Sequence, residues 1–430
     1  MSQNLEAPKG TRDFLPGEMG VRNAIISGIQ NIFSRYGYQQ WDGPAFEYLS
    51  TLTKKSSPEI VKEIYNFTDK ADRELGLRFE LTTSIARMIS SNPRMKKPVK
   101  AFGFGKVWRY ENTQKGRYRE FLQMDADLFG VSSQSGELEL LSIASDVMNY
   151  IGFSKYTILI NNRKILNAFV EVAEIPEEKK LDVFRALDKL QKIGDQGVLK
   201  EFQKRGLTEK QFSQIMTLVS RSLSLSDLKN KFTSVPTGVE GVEELENILE
   251  RAKFLGISNI KFSPDLIRGF DYYTGPIFEI KIEEGENVGS ISGGGRYDKL
   301  VETFGGQPTP AVGISFGIER IIDIIEKDES LREKFDKPQI DVYIACLDSK
   351  YENIGWQLAQ ELRAIQVAVD IDLLGRGFKK QMQYANDKKC PFVIIIGEEE
   401  AQSEVFTLKN MKTGEQEKKK LEELKSLFKE

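Results

Sequence analysis

Charged side chains gather in segments of this chain that otherwise read as buried strands. In VWRYENTQKGRYREFLQMDADLF (107–129), Arg109, Lys115, Arg117 and Arg119 are interleaved with Glu111, Asp125 and Asp127. Side chains two apart share a strand face, so Arg109 points with Glu111, and Gln123 with Asp125 and Asp127. The neighbours Val107, Trp108, Phe121, Leu122 and Phe129 argue against a solvated hairpin, and charges inside a core sheet need a ligand or each other. LIRGFDYYTGPIFEI (266–280) sets the same problem, with Arg268, Asp271, Tyr272 and Tyr273 at the centre of an apolar strand pattern. A third arginine, Arg320, opens a helix directly after the glycine-rich strand end of TPAVGISFGIERII. A helix N-terminus suits an anion, and an arginine there adds a bidentate phosphate fork. Three arginines in strand or strand-to-helix settings, with no Walker lysine, could grip a triphosphate without a P-loop.

The composition narrows the chemistry further. The chain contains no histidine, which excludes Ser-His-Asp triads, Cys-His pairs and HExxH zinc sites. Catalysis must rest on carboxylates, arginine, lysine, tyrosine, metal-bound phosphate or the substrate's own groups. Two cysteines, Cys346 and Cys390, build neither a disulfide framework nor a cysteine-rich zinc site. No apolar run reaches the length of a membrane span and no secretory h-region opens the chain, so a cytoplasmic protein without membrane contact is expected. A net charge of −3 does not mark a nucleic-acid binder, and RNA contact would need local basic faces.

These residues need a scaffold, and 430 residues predict two or three domains. Val21, Ile25, Ile29, Ile32 and Phe33 share one helical face that ends at Gly37. Short strands and polar turns follow from Phe79 to Gly130, then a helix over 136–150 and a strand over 156–161. Residues 164–240 read as an inserted helical module, rich in Lys, Glu and Gln. Strand character returns from NIKFSPDLIRGFDYY through SGGGRYD (292–298), whose glycines suggest close backbone approach at a strand turn. The charged stretch 326–338 reads as a linker. Beyond it, 339–430 has a β-α-β-α-β order that implies a small parallel-sheet domain.

Taken together the segments resemble class II aminoacyl-tRNA synthetases, and within them the histidyl-tRNA synthetase family. Residues 37–48 with Pro44 resemble motif 1, WRYENTQKGRYREFLQ motif 2 and PAVGISFGIER motif 3. LIRGFDYYTGPIFE and GGGRYD resemble the two signatures of the histidine enzymes, and LRFELTTSIAR (77–87) their amino-group-binding segment. The resemblance implies an α+β fold: a class II antiparallel sheet flanked by helices, with a helical insertion and a C-terminal α/β anticodon-binding domain. It makes 1–163 and 241–325 the two parts of a catalytic domain, interrupted by the 164–240 insertion, with 326–338 the linker and 339–430 the anticodon-binding domain.

Site roles follow from the same resemblance. Arg268 would reach the substrate carboxylate and the α-phosphate, and Arg109 the α-phosphate, as the catalytic pair. Arg117 and Arg320 would take the terminal phosphates of ATP, Glu111 the adenine amino group, and Phe121 would stack on the base. Glu80, Thr82 and Gln123 would hold the α-ammonium of L-histidine, with Tyr273 and Asp127 on the imidazole. Tyr297 would close the pocket, and Tyr272 would fix its neighbours. Asp127 stands where relatives often carry glutamate. Mg²⁺ would bridge the phosphates of ATP, with its protein ligands unknown. A histidine tRNA and a second copy of the chain, paired through motif 1, would be the macromolecular partners. The helical insertion would contact the acceptor arm.

The C-terminal 92 residues carry 14 Lys and Arg against 16 Asp and Glu, so net charge does not drive RNA binding there. GRGFKKQMQYANDKK (375–389) is the exception, with five basic residues, one acid and two aromatics, a composition suited to phosphates and unpaired bases. A catalytically silent regulatory paralogue of histidine biosynthesis is the alternative. Such paralogues usually lack the C-terminal module and keep degraded ATP-binding arginines, whereas Arg109, Arg268 and Arg320 all stand here.

Overall fold

The structure is a computed structural model describing residues 5–54, 58–113, 116–267, 272–283 and 289–429. It divides into two compact units, one built on residues 22–332 and one on residues 333–430 with Leu15–Val21. Among the described residues no helix is long and apolar enough to cross a membrane.

The strands are β1 (Gln39–Gln40), β2 (Phe46–Tyr48), β3 (Asn66–Thr68), β4 (Glu74–Leu77), β5 (Val99–Trp108), β6 (Glu120–Phe129), β7 (Tyr156–Asn162), β8 (Ile260–Phe262), β9 (Pro276–Ile282), β10 (Ser290–Arg296) and β11 (Ala311–Gly317) in the first unit. The second unit holds β12 (Val342–Cys346), β13 (Val369–Ile371), β14 (Phe392–Ile396), β15 (Val405–Asn410) and β16 (Gln416–Lys420).

The first unit is organised by an eight-stranded sheet ordered β1-β5-β6-β11-β10-β9-β7-β8. Its six central strands run antiparallel, and a short parallel strand closes each edge. The helix Pro16–Arg35 buries Val21, Ile25, Ile29, Ile32 and Phe33, as its periodicity requires, and Gly37 follows it with φ +80°. The helix Ser135–Ile151 is buried along one side by Leu138, Leu141, Ala144, Val147, Met148 and Ile151. A smaller antiparallel sheet, β2-β4-β3, holds the end of the motif 1 resemblance in β2 and later residues in β3 and β4.

Two strand readings shift in the structure. Among the described residues of 266–280 only Pro276 onward is strand, and 272–275 lead into it without regular structure. The proline has no N–H to extend the ladder, and Thr274 N instead donates to Arg296 O at 2.8 Å. The glycines of SGGGRYD lie inside β10 rather than at a turn. A Cβ on Gly294 would sit 2.0 Å from Gly313 O, so β10 and β11 pack too closely there for any side chain.

From Arg163 to Phe254 the chain is helical, with segments Arg163–Val172, Lys180–Leu187, Leu190–Lys204, Glu209–Leu218, Leu225–Lys231 and Pro236–Phe254. The stretch 326–338 carries a helix at Glu329–Phe335, with Phe335 buried. In the second unit the sheet order is β13-β12-β14-β15-β16. Its first three strands are parallel, as the β-α-β-α-β order implies, but β15 and β16 add an antiparallel hairpin. That hairpin ends in the charged run QEKKK, which hides its strand character from an apolar pattern.

Candidate active site

One cleft opens on the face of the large sheet where β6, β10 and β11 lie side by side. It is lined by Glu80, Thr82, Arg109, Glu111, Arg117, Phe121, Gln123, Tyr272, Tyr273, Tyr297 and Arg320, eleven of the thirteen residues singled out from the sequence. The cleft encloses about 1020 Å³ of empty space, open solvent at its mouth included. Arg268 and Asp271 lie outside the described residues. Asp127 is buried behind Tyr297, whose hydroxyl donates to Asp127 Oδ1.

At one end the side chains are short, polar and deeply buried. The Glu80 carboxylate accepts from the Thr83 hydroxyl and, at 3.0 Å, from Tyr272 OH. Thr82 Oγ1 donates to Asp127 Oδ1 at 3.4 Å. The Tyr272 and Tyr273 rings lie 5.1 Å apart, tilted 59° to each other, and Tyr272 meets Tyr297 edge-on at 5.7 Å. Gln123 donates through Nε2 to Ser315 Oγ at 2.9 Å. Three acceptor atoms on β6 find no hydrogen-bond partner among the described residues: Gln123 Oε1, Asp125 Oδ1 and Asp127 Oδ2. Such orphans carry the full cost of desolvation until something donates to them.

Burial sets the charge state of this end. It pushes the Asp125 carboxyl up to about 7 and raises Glu80 and Asp127, the latter further lifted by Asp125. The Tyr272 and Tyr297 phenols are raised by burial and then by the facing carboxylates. Arg109 faces the carboxylates of Glu80 and Asp125. Its Nε donates to Phe79 O at 2.9 Å, and its guanidinium lies 5.3 Å from the centre of the Phe121 ring. The other end holds Glu111 and Arg117, which form an ion pair with each other. Arg320 there donates to the backbone oxygens of Gly116 and Ser290.

Ties formed between distant segments hold these groups in place. Glu319, beside Arg320, receives Arg22 Nη2 at 2.7 Å and Leu122 N at 2.7 Å. Arg296, next to Tyr297, grips the buried Glu137 through two donors at 2.6 and 2.7 Å and also holds Val131 O and Ser133 O. Sequence reasoning assigned no role to Asp125, Ser315, Arg296 or Glu137. For Asp125 the signal was present, since strand periodicity puts it between Gln123 and Asp127. The partners of Arg296 and Arg22, 159 and 297 residues away, leave no local signal.

Comparison with known proteins places this arrangement. The family model of histidyl-tRNA synthetase matches residues 10–321, and that of an anticodon binding domain matches 341–430. Histidine–tRNA ligase 1 from a strain of Bacillus cereus is 38% identical over 424 residues, covering 97% of this chain and 98% of the relative. The crystal structure of histidyl-tRNA synthetase from Nostoc sp. PCC 7120 superimposes with a TM-score of 0.83 at 28% identity, covering 99% of both chains. A Bacillus halodurans structure described as an ATP phosphoribosyltransferase regulatory subunit/histidyl-tRNA synthetase reaches 0.73 at 22% identity, covering 89% of this chain and 96% of that one. At that identity the likeness bears on the fold alone.

Proposed function

The chain belongs to the histidyl-tRNA synthetase family, and we propose that it activates L-histidine with ATP and transfers it to the 3′-terminal adenosine of its tRNA. The observation that carries this reading is the cleft itself, where unpartnered acceptors at one end and arginines at the other suit an amino acid joined to a phosphate. In the first step the histidine carboxylate attacks the α-phosphorus in line, forming histidyl-adenylate and releasing pyrophosphate. In the second the tRNA hydroxyl attacks the activated carbonyl and AMP leaves, with a phosphate oxygen taking the hydroxyl proton.

Each side chain has a task in that scheme. Arg109, held by Phe79 O, stabilises the charge that develops on the α-phosphate, together with Arg268 from the neighbouring segment. Asp127 keeps Oδ2 for one imidazole nitrogen while Tyr297 occupies its other oxygen, and Tyr273 faces the opposite nitrogen. A carboxylate and a phenol can satisfy an imidazole's donor and acceptor. Thr82, Gln123 and Glu80 surround the ammonium, with Tyr272 holding Glu80. Arg117 and Arg320 receive the outer phosphates and Phe121 supports the adenine. Glu111 turns to the adenine amino group once phosphate draws Arg117 from their ion pair.

A Mg²⁺ ion would lie on the phosphates, offsetting their charge. Among the described residues no group of three carboxylates or other ligands is placed to hold a metal ion, and both oxygens of Glu319 are engaged. The ATP oxygens themselves would therefore supply most of the coordination, as Mg²⁺ commonly allows.

The domain assignments extend the reading. Residues 1–163 and 241–325 form the catalytic domain, 164–240 an insertion that meets the acceptor arm, 326–338 the connection, and 339–430 the anticodon-binding domain. A homodimer through the motif 1 region is supported by Phe46, Tyr48 and Phe67, which leave 44–53% of their surface exposed on the small sheet. The site of action is the cytoplasm. The regulatory-paralogue reading is disfavoured by the anticodon-domain match and by the intact Arg109 and Arg320. ATP–pyrophosphate exchange with each amino acid in turn is the test, on a preparation whose dimer mass is measured by light scattering. Exchange with histidine alone is expected. Exchange with another amino acid would overturn the pocket assignment, and none at all would favour the regulatory reading.

A further inference from the structure

We propose that Asp125 is a further substrate-binding residue, its Oδ1 accepting an N–H of the α-ammonium beside Gln123 Oε1, while Ser315 orients both side chains. The inference deepens the assignment above and rests on it, because it takes the cleft to hold an α-amino acid.

An ammonium group presents three donors and needs three acceptors. Of the groups assigned to it from sequence, Glu80 already accepts from Thr83 and Tyr272, and the Thr82 hydroxyl is turned to Asp127. At the end of the cleft away from the Glu111–Arg117 ion pair, the lining acceptors without a hydrogen-bond partner among the described residues are Gln123 Oε1 and Asp125 Oδ1. Asp125 is 2% exposed, so water does not compensate it. Strand alternation sends both side chains to the same face of β6, while Leu122, Met124 and Ala126 fill the core behind.

The neighbours of Asp125 leave its Oδ1 open and fix its direction. On one flank β5 contributes Gly103, opposite Asp125 in register and packed against the side chains of Leu81 and Ile85, and the Leu81 N–H donates to the Asp125 carboxylate. On the other flank β11 contributes Ser315, also in register with Asp125. Ser315 Oγ accepts from Gln123 Nε2 and its hydroxyl bonds to the Asp125 carboxylate. One hydroxyl thus ties the amide to the carboxylate and leaves Gln123 Oε1 and Asp125 Oδ1 aimed into the cleft together. Charge agrees with this geometry. Burial holds the carboxyls of Glu80, Asp125 and Asp127 above their usual range, with Arg109 the arginine described beside them, and a cationic substrate group draws them toward the charged form.

The test compares histidine with 3-(imidazol-4-yl)propanoate, which keeps the ring and the carboxylate but lacks the ammonium. Dissociation constants of both would be measured by calorimetry on the full-length wild type, Asp125→Asn and Asp125→Ser, alongside melting temperature. If Asp125 binds the ammonium, each variant weakens histidine by about 10- to 100-fold, the range of a lost hydrogen bond to a charged group. Affinity for the propanoate stays within about twofold, and the unliganded variants melt no lower than wild type because a desolvated carboxylate is gone. Parallel weakening of both ligands, or a variant that does not fold while the other binds histidine normally, would overturn the proposal. So would unchanged histidine affinity in both. Wild-type protein that binds the propanoate as tightly as histidine would overturn it as well, while leaving the assignment of the cleft standing. Wild type that binds neither ligand would remove that assignment and this inference with it.

Discussion

Two buried glutamines separate the two units of this molecule. Gln381, in the C-terminal unit, has both polar atoms engaged: Oε1 accepts Cys346 N at 3.1 Å, and Nε2 donates to Cys346 O at 3.0 Å and Arg376 O at 2.6 Å. Gln123, in the catalytic cleft, donates to Ser315 and leaves Oε1 without a partner among the described residues. Glu400 repeats the first pattern, accepting from Gly397 N and Thr407 Oγ1, whereas Asp125 repeats the second. Apart from the Tyr343 hydroxyl, the orphaned buried side-chain atoms among the described residues lie in the first unit. A satisfied buried polar group holds a fold together, while the unsatisfied ones of Gln123 and Asp125 line the cleft, where a ligand can complete them; those of Arg12, Arg22, Tyr38, Glu139 and Asn167 do not line it. Stability and binding should therefore respond in opposite ways to similar substitutions in the two units.

The largest contrast is expected from Gln123→Leu and Gln381→Leu. The first should raise KM for histidine in pyrophosphate exchange by about 10- to 100-fold with little change in melting temperature, since a costly unpaired oxygen leaves with the amide. The second strands Cys346 N and two carbonyls in the core and should lower stability by about 1–3 kcal/mol, with exchange kinetics unchanged at a temperature where the variant is folded. Denaturant melts and initial rates on both variants decide the matter. If Gln123→Leu destabilises as much as Gln381→Leu and leaves KM alone, the division between the two units is void.

How far the sequence exposed this contrast depended on how local the signal was. The helix Pro16–Arg35 was legible because one apolar face and a terminal glycine suffice to define it. The cleft was largely legible because its residues sit on short segments that resemble a family in residue type and spacing together. The roles inside the cleft were less so. Glu111 and Arg117, given separate roles from sequence, form an ion pair with each other, a contact that residue type and spacing alone do not specify. Asp125 was placed on the right face but given no task, because the partner that orients it, Ser315, comes from a strand 190 residues later in the chain. The hairpin β15-β16 was missed since its outer strand is nearly all charged and exposed, which removes the alternation that marks a half-buried strand.

A smaller effect should follow from pH. Burial raises the carboxyls of Glu80, Asp125 and Asp127; Arg109 and the Tyr272, Tyr273 and Tyr297 phenols face the same space. The unfolded chain loses these protons near pH 4, whereas folded Asp125 keeps its own up to about 7. The unliganded fold thus binds more protons than the unfolded chain between these values, and its stability falls as pH rises from about 4 until about 7 is passed. Melting temperature of the unliganded protein should drop by about 2–4 °C between pH 6 and pH 8, and by less in Asp125→Asn. Saturating histidine should raise it more at pH 8, where the carboxylate is charged and the ammonium answers it. The C-terminal unit shows no counterpart: Asp372 and Glu400 are held below the usual carboxylate range by hydrogen bonds and stay charged across this interval. A melting temperature that rises toward pH 8 would contradict the buried-carboxylate account.

The smallest effect is expected on the outside of the C-terminal unit, where its function would have to lie if its interior is complete. Helix Phe378–Asp387 presents Lys379 and Lys380 to solvent, and among the described residues neither forms an ion pair. Arg376 just before it is bound to Asp372 at 2.5 Å and lies 4.1 Å from the centre of the Tyr384 ring, so it is fixed in place while the two lysines are not. Leu373 and Leu374 in the preceding loop are 70% and 75% exposed, an apolar surface beside the cations that fits unpaired bases. Replacing both lysines by alanine should raise KM for tRNA in aminoacylation by about 3- to 10-fold and reduce the salt slope of binding by about one to two. Pyrophosphate exchange, which needs no tRNA, should be unchanged. Loss of exchange in the same protein would mean the lysines act on the catalytic cleft after all, and an unaltered salt slope would move the RNA contact to another face of the unit.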